Sequence, residues 1–179
     1  MKKNYHTLII ASAIVYASMG LFTPAWYLYL SRKDGAMQFG PALGIMAIAG
    51  GISAYFLGRF SDTRSKPLIL SGAYFALALV VVSYTLPLNF FAIYCLQFFY
   101  GVISAIILLL ENVLASLFTP KENRGGGMGL FSCIQQVVIG VSMILGGGLA
   151  GVIGLNNVFY ITGLFLSFGG IVALRLTEE

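Results

Sequence analysis

Glu111 is the one acidic residue inside a long apolar run of this 179-residue chain. A carboxyl there can hold a proton, pair with a cationic solute, or accept hydrogen bonds from neighbouring helices. Intramembrane acids are expensive unless paired or hydrated, so each is a functional candidate. At 100° per residue, Gln97, Ser104 and Glu111 fall within about 40° of one another, forming one polar stripe. Glu111 lies about seven residues from the middle of its segment, roughly 10 Å along a helix axis. Asn112 beside it is a hydrogen-bonding group for solute or helix. Tyr16, with Ser12, Thr23 and Tyr27, marks a polar side of the first apolar run. Gln136 sits one turn from Ser132 in the fifth, beside Gln135. Gln97, Tyr16 and Gln136 are the expected solute contacts, against the plainer reading of interhelical hydrogen bonding. Glu111 keeps two readings: a proton or cation-substrate site, or a structural acid bonded to Arg64, Arg124 or a neighbouring helix.

These residues need apolar elements to hold them. The chain is 59% hydrophobic and 9% charged, with a mean hydropathy of +0.92. A soluble domain cannot hide that much apolar surface. Six apolar segments, 7–30, 38–58, 67–87, 89–118, 125–152 and 157–175, each reach the roughly 20 residues that cross a bilayer. Pro, Gly and polar turns separate them. The sequence predicts an all-α membrane protein, one six-span domain over residues 1–179, with no cofactor and the lipid bilayer as its surroundings. The first segment lacks a small-residue cleavage site and reads as a retained helix. The third and sixth are uniformly apolar, which suits lipid-facing positions. Trp26, Tyr27 and Tyr29 read as an interfacial aromatic belt.

Charge orients the helices. Lys2, Lys3, Arg59, Arg64, Lys66, Lys121, Arg124 and Arg175 fall on one side, Arg32 and Lys33 on the other. Positive charge favours the cytoplasmic side, which puts both termini there, in a cell membrane. That placement accounts for the net charge of +4 without nucleic acid. Cys95 and Cys133 lie toward opposite ends of their helices, so no disulfide is expected. The sequence contains no nucleophile–base set, metal-ligand spacing or phosphate loop, and an enzyme is not expected.

Between the second and third segments stands Gly58-Arg-Phe-Ser-Asp62-Thr-Arg64-Ser-Lys66. This loop resembles the cytoplasmic signature of the major facilitator superfamily: glycine, three residues, aspartate, then basic residues. Gly58, Asp62 and Lys66 match. Thr63 replaces a basic residue, Ser65 a glycine and Pro67 a second basic residue, with Arg64 placed to supply the displaced charge. The fourth segment is similar to the family's second motif, but Gln97 stands four residues before Gly101 where an arginine linked to proton coupling is usual. Pro120 and Arg124-Gly125 resemble the family's linker into the fifth helix. Gly146-Gly147-Gly148 fit its glycine clusters, whereas Met143 and Ile144 occupy the place of the antiporter glycine–proline pair.

The resemblance covers all six segments and implies one six-helix half of a twelve-helix transporter. It implies a cavity lined by the first, second, fourth and fifth helices, and a cytoplasmic gate built by Gly58, Asp62, Arg64, Lys66 and Arg124. An even number of spans inserts every copy the same way, so two copies can pair about a two-fold axis. The expected function is therefore a half-size secondary transporter of a small organic solute, working as a parallel homodimer. One half of a heterodimeric or longer transporter, and a non-transporting partner-binding subunit, are the alternatives.

Overall fold

The computed structural model describes residues 2–33, 36–60 and 65–177. Six long helices make up nearly all of it: α1 (Lys2–Ser31), α2 (Phe39–Phe60), α3 (Lys66–Ser83), α4 (Phe90–Phe118), α5 (Arg124–Ile153) and α6 (Leu155–Ala173). Each contains a span long and apolar enough to cross a membrane, and no strand occurs among the described residues. This is an all-helical, multi-pass membrane fold.

The helix ends follow local chemistry. Pro67 sits in the first turn of α3, where its missing N–H costs nothing. Asn89 caps α4 by accepting from the Ala92 amide at 2.8 Å. Thr119, ahead of Pro120, is extended and stops α4. Gly154 has φ +85°, a conformation suited to glycine, and turns α5 directly into α6. Asn157 then donates to the freed Ile153 carbonyl at 2.7 Å. The third helix ends at Ser83, short of the expected 67–87, because residues 84–88 form successive tight turns.

Packing runs as a chain of neighbours. α5 packs on α1, α1 on α6, α6 on α3, α3 on α4, and α4 on α2. The termini meet at one end of the bundle, where the Asn4 side chain donates to the Thr177 carbonyl at 2.8 Å. Only 11% of the α2 span and 17% of the α5 span is buried, against 33–50% in the other four. α3 and α6 therefore differ from the expectation of lipid-facing helices: half of the α3 span is covered by protein. Lipid and protein interior are equally apolar, so a uniformly apolar helix can face either.

Close approaches replace the hydrophobic effect as the packing force. α2 crosses α4 at Gly50 and Gly101, where a Cβ on Gly101 would land on the Met46 carbonyl. α1 meets α5 at Gly146, whose Cβ would lie 2.9 Å from the Leu21 backbone and 3.0 Å from Pro24. By contrast Gly40, Gly44 and Gly51 of α2, and seven glycines of α5 including Gly129, Gly147, Gly148 and Gly151, face open space.

Candidate functional site

The stripe on α4 faces into the bundle. Gln97 and Glu111 are buried, and the Ser104 hydroxyl is shut off from solvent without a partner. Glu111 is fully buried and sits where four helices meet. Tyr74 of α3 donates its hydroxyl to Oε1 at 2.5 Å. Gln135 of α5 donates Nε2 to Oε2 at 2.9 Å and to the Ser12 hydroxyl of α1 at 2.8 Å. Tyr16 also lies within interacting range of the carboxyl. All of these partners are neutral. A carboxylate only accepts, and here each oxygen has a donor. A protonated carboxyl gains one O–H donor and keeps acceptor capacity on both oxygens, and the Tyr74 and Ser12 hydroxyls can accept as well as donate, so this junction can hold the acid in either state.

Tyr16 thus approaches the carboxyl, as its position on the polar side of α1 suggests. Gln136 does not: it is exposed, and its neighbour Gln135 occupies the junction. Asn112 is also exposed and borders a groove of about 690 Å³ between α2 and α4. Of the expected gate, Gly58 lies in the last turn of α2, and Lys66 opens α3. Arg124 starts α5 and is exposed. Asp62 and Arg64 lie outside the described residues. Cys95 and Cys133 are both free.

A second feature lies toward the far end of the bundle from the termini. A cavity of about 710 Å³ opens between α1, α2, α4 and α5. Aromatic side chains dominate its wall: Phe22, Trp26, Tyr27, Phe39 and Tyr100, with Gln97 among them. The rings of Phe22 and Tyr100 stack at 5.4 Å, and those of Trp26 and Phe39 lie 5.3 Å apart. Trp26 is 4% exposed, so it is a cavity wall and not part of an interfacial belt; Tyr27, 54% exposed, fits the belt. Phe22, Trp26 and Tyr29 recur at i, i+4 and i+7, a one-face spacing that marks an inward stripe. Tyr74 and Gln135 do not stand out in the sequence; one is an isolated tyrosine in an apolar helix and the other stands beside an equally polar residue.

These four helices and this arrangement of cavity and buried acid meet the resemblance seen in the loop motif. The profile of the Major Facilitator Superfamily matches residues 8–179. The chain belongs to the major facilitator superfamily. An uncharacterized MFS-type transporter of Methanocaldococcus jannaschii is 21% identical over 100% of the chain and 47% of the relative. The multidrug resistance protein MdtG of Proteus mirabilis is 27% identical over 99% of the chain and 46% of the relative. The chain spans about half the length of these two major facilitator relatives. An uncharacterized MFS-type transporter of Bacillus subtilis is 22% identical over 90% of the chain and 99% of its own length. No solved structure matches the chain.

Proposed function

We propose that the chain is a half-size secondary transporter of the major facilitator type, which pairs as a parallel homodimer and moves a small organic solute by alternating access. The observation that carries this reading is the bareness of α2 and α5. They are the least buried spans, and ten of their glycines have nothing opposite them within the protomer. Glycine-lined faces allow close helix approach in lipid. The superfamily's halves run in the same direction, so a second copy fits beside the first without inversion. The Bacillus subtilis relative is matched over 99% of its own length, so a chain of comparable size carries the description of an MFS-type transporter. Glu111 is the candidate for proton coupling, with Gly58, Asp62, Arg64 and Lys66 of the α2–α3 loop and Arg124 at the start of α5 gating the cytoplasmic end.

A second reading is favoured by the longer relatives: the six helices act as one half of a heterodimeric or twelve-helix transporter. Native mass spectrometry of the protein in lipid nanodiscs separates the two. A dimer at low concentration is expected. A stable monomer would remove the homodimer and turn the search to a separate second half.

A further inference from the structure

The Glu111 junction can hold a proton, yet the acid itself is 0% exposed. A sealed group exchanges protons through the polar side chains that touch it. Four do so: Tyr74, Ser12, Gln135 and Tyr16. Tyr74 is 0% exposed, and its hydroxyl is spent on the carboxyl. Ser12 is 1% exposed, and its oxygen accepts from Gln135. Gln135 is 6% exposed, but an amide N–H donates without giving up its proton, so it bonds and does not relay. Tyr16 alone among the four combines a hydroxyl with a partly exposed side chain.

The surroundings of Tyr16 lead outward. Met19, one turn on along the same side of α1, lines the groove of about 690 Å³ between α2 and α4. Tyr100, within electrostatic range of Tyr16, lines that groove too. Along α4 the groove reaches from Tyr100 to Asn112, so it passes the depth of the acid. No charged group intervenes among the described residues. His6 on α1, Lys66 on α3 and Arg124 on α5 each lie more than a turn nearer the terminal end. α2, on the other side of α4, has no charged residue from Phe39 to Gly58, and its Tyr55 is 70% exposed. A hydroxyl donates and accepts at once. Tyr16 can pass its proton to a Glu111 oxygen while its own oxygen takes one from hydronium in the groove. Hydronium becomes water, the carboxylate becomes the acid, and Tyr16 is neutral before and after.

We propose that Tyr16 is the relay through which protons enter and leave Glu111 from the α2–α4 groove. This deepens the transporter reading and rests on its proton coupling for physiological meaning. The relay needs the residues of only one protomer.

The experiment follows the carbonyl stretch of protonated Glu111 by infrared spectroscopy in lipid nanodiscs after a pH jump. Loss of the band in Glu111→Gln assigns it. Each record gives the midpoint of titration and the rate of proton arrival. Tyr16→Phe keeps the ring and removes the hydroxyl, so the rate should fall by about a hundredfold while protonation still completes. Tyr74→Phe also deletes a hydroxyl beside the acid; it should move the midpoint and leave the rate, as a purely structural tyrosine does. Where Tyr16→Phe fails to fold, Met19→Cys tests the same path after folding, with Cys95 and Cys133 changed to serine. A bulky thiol reagent then fills the groove beside Tyr16 and should slow proton arrival. An unslowed rate in Tyr16→Phe or in the labelled protein, or equal slowing by Tyr74→Phe, would overturn the inference; so would the absence of a titrating Glu111 band. The outcomes are separable from the transporter reading. Coupled transport that persists with Tyr16→Phe at full rate removes this inference alone. Fast exchange through Tyr16 in a protein whose transport ignores Glu111→Gln removes the coupling and keeps the relay.

Discussion

At the residue scale, Glu111 joins four helices through hydrogen bonds donated to both of its oxygens, and its replacements differ in what they leave behind. In Glu111→Gln the new carbonyl still accepts from Gln135, while the new amide turns toward the Tyr74 oxygen, which can accept. The junction survives and the proton site is gone. The variant should fold normally and lose the pH dependence of transport in proteoliposomes; an unchanged pH profile would make Glu111 a structural acid only. Tyr74→Phe does the opposite. It deletes one donor to a buried acid, at about 1–3 kcal/mol, so thermal unfolding in detergent should occur at lower temperature while the pH dependence persists. A pH profile abolished by Tyr74→Phe would assign the tyrosine to the proton path. Glu111 and Gln97 were legible in the sequence because polar residues are rare in an apolar run. Their partners were not. Gln135 and Gln136 differ by about 100° of helix rotation, and only the packing of α5 against α1 and α4 decides which turns inward. Trp26, near a helix end, satisfies an interfacial or a buried reading until the position of α2 is known.

At the element scale, glycines divide by what stands opposite them. Gly101 lies where α2 and α4 cross, and a methyl there collides with the backbone at Met46. Backbone cannot rotate out of the way as a side chain can, so Gly101→Ala must separate the helices. Overpacking of this kind typically costs about 1–3 kcal/mol, and the loss should appear as a lower unfolding temperature of the protomer. Gly44→Ala on α2 meets nothing within the protomer and should leave that temperature unchanged. Equal effects from the two substitutions would mean that α2 does not cross α4 in this register. The number and approximate limits of the helices could be read from apolar length and from Pro, Gly and Asn at their ends. The neighbours of each helix could not. α3 and α6 carry no polar stripe, yet much of their surface is covered by protein, since lipid makes no demand that distinguishes a core face from an outer one. α2 and α5 carry glycine patterns that look the same where they pack, at Gly50 and Gly146, and where they are bare, at Gly44 and Gly148.

At the scale of the whole molecule, the bare helices constrain how two copies would meet. α2 is attached through α4 and α5 through α1, and the aromatic cavity opens between all four. The two bare helices therefore flank the cavity. A two-fold axis along the membrane normal, facing the cavity mouth, carries α2 of one copy to the side occupied by α5 of the other. The resulting contact is α2 against α5 of the partner, made twice, rather than α2 against α2. Depth then sets the register. α2 begins, and α5 ends, at the end of the bundle away from the termini, so Gly40 and Gly44 lie level with Gly147, Gly148 and Gly151. With Cys95 and Cys133 replaced by serine, the double variant Gly44→Cys, Gly148→Cys should form a covalent dimer with a short thiol-to-thiol reagent in membranes. Gly44→Cys alone should give little, because its two copies stand on opposite sides of the axis. Efficient cross-linking of that single variant would place α2 against α2 and reject this axis.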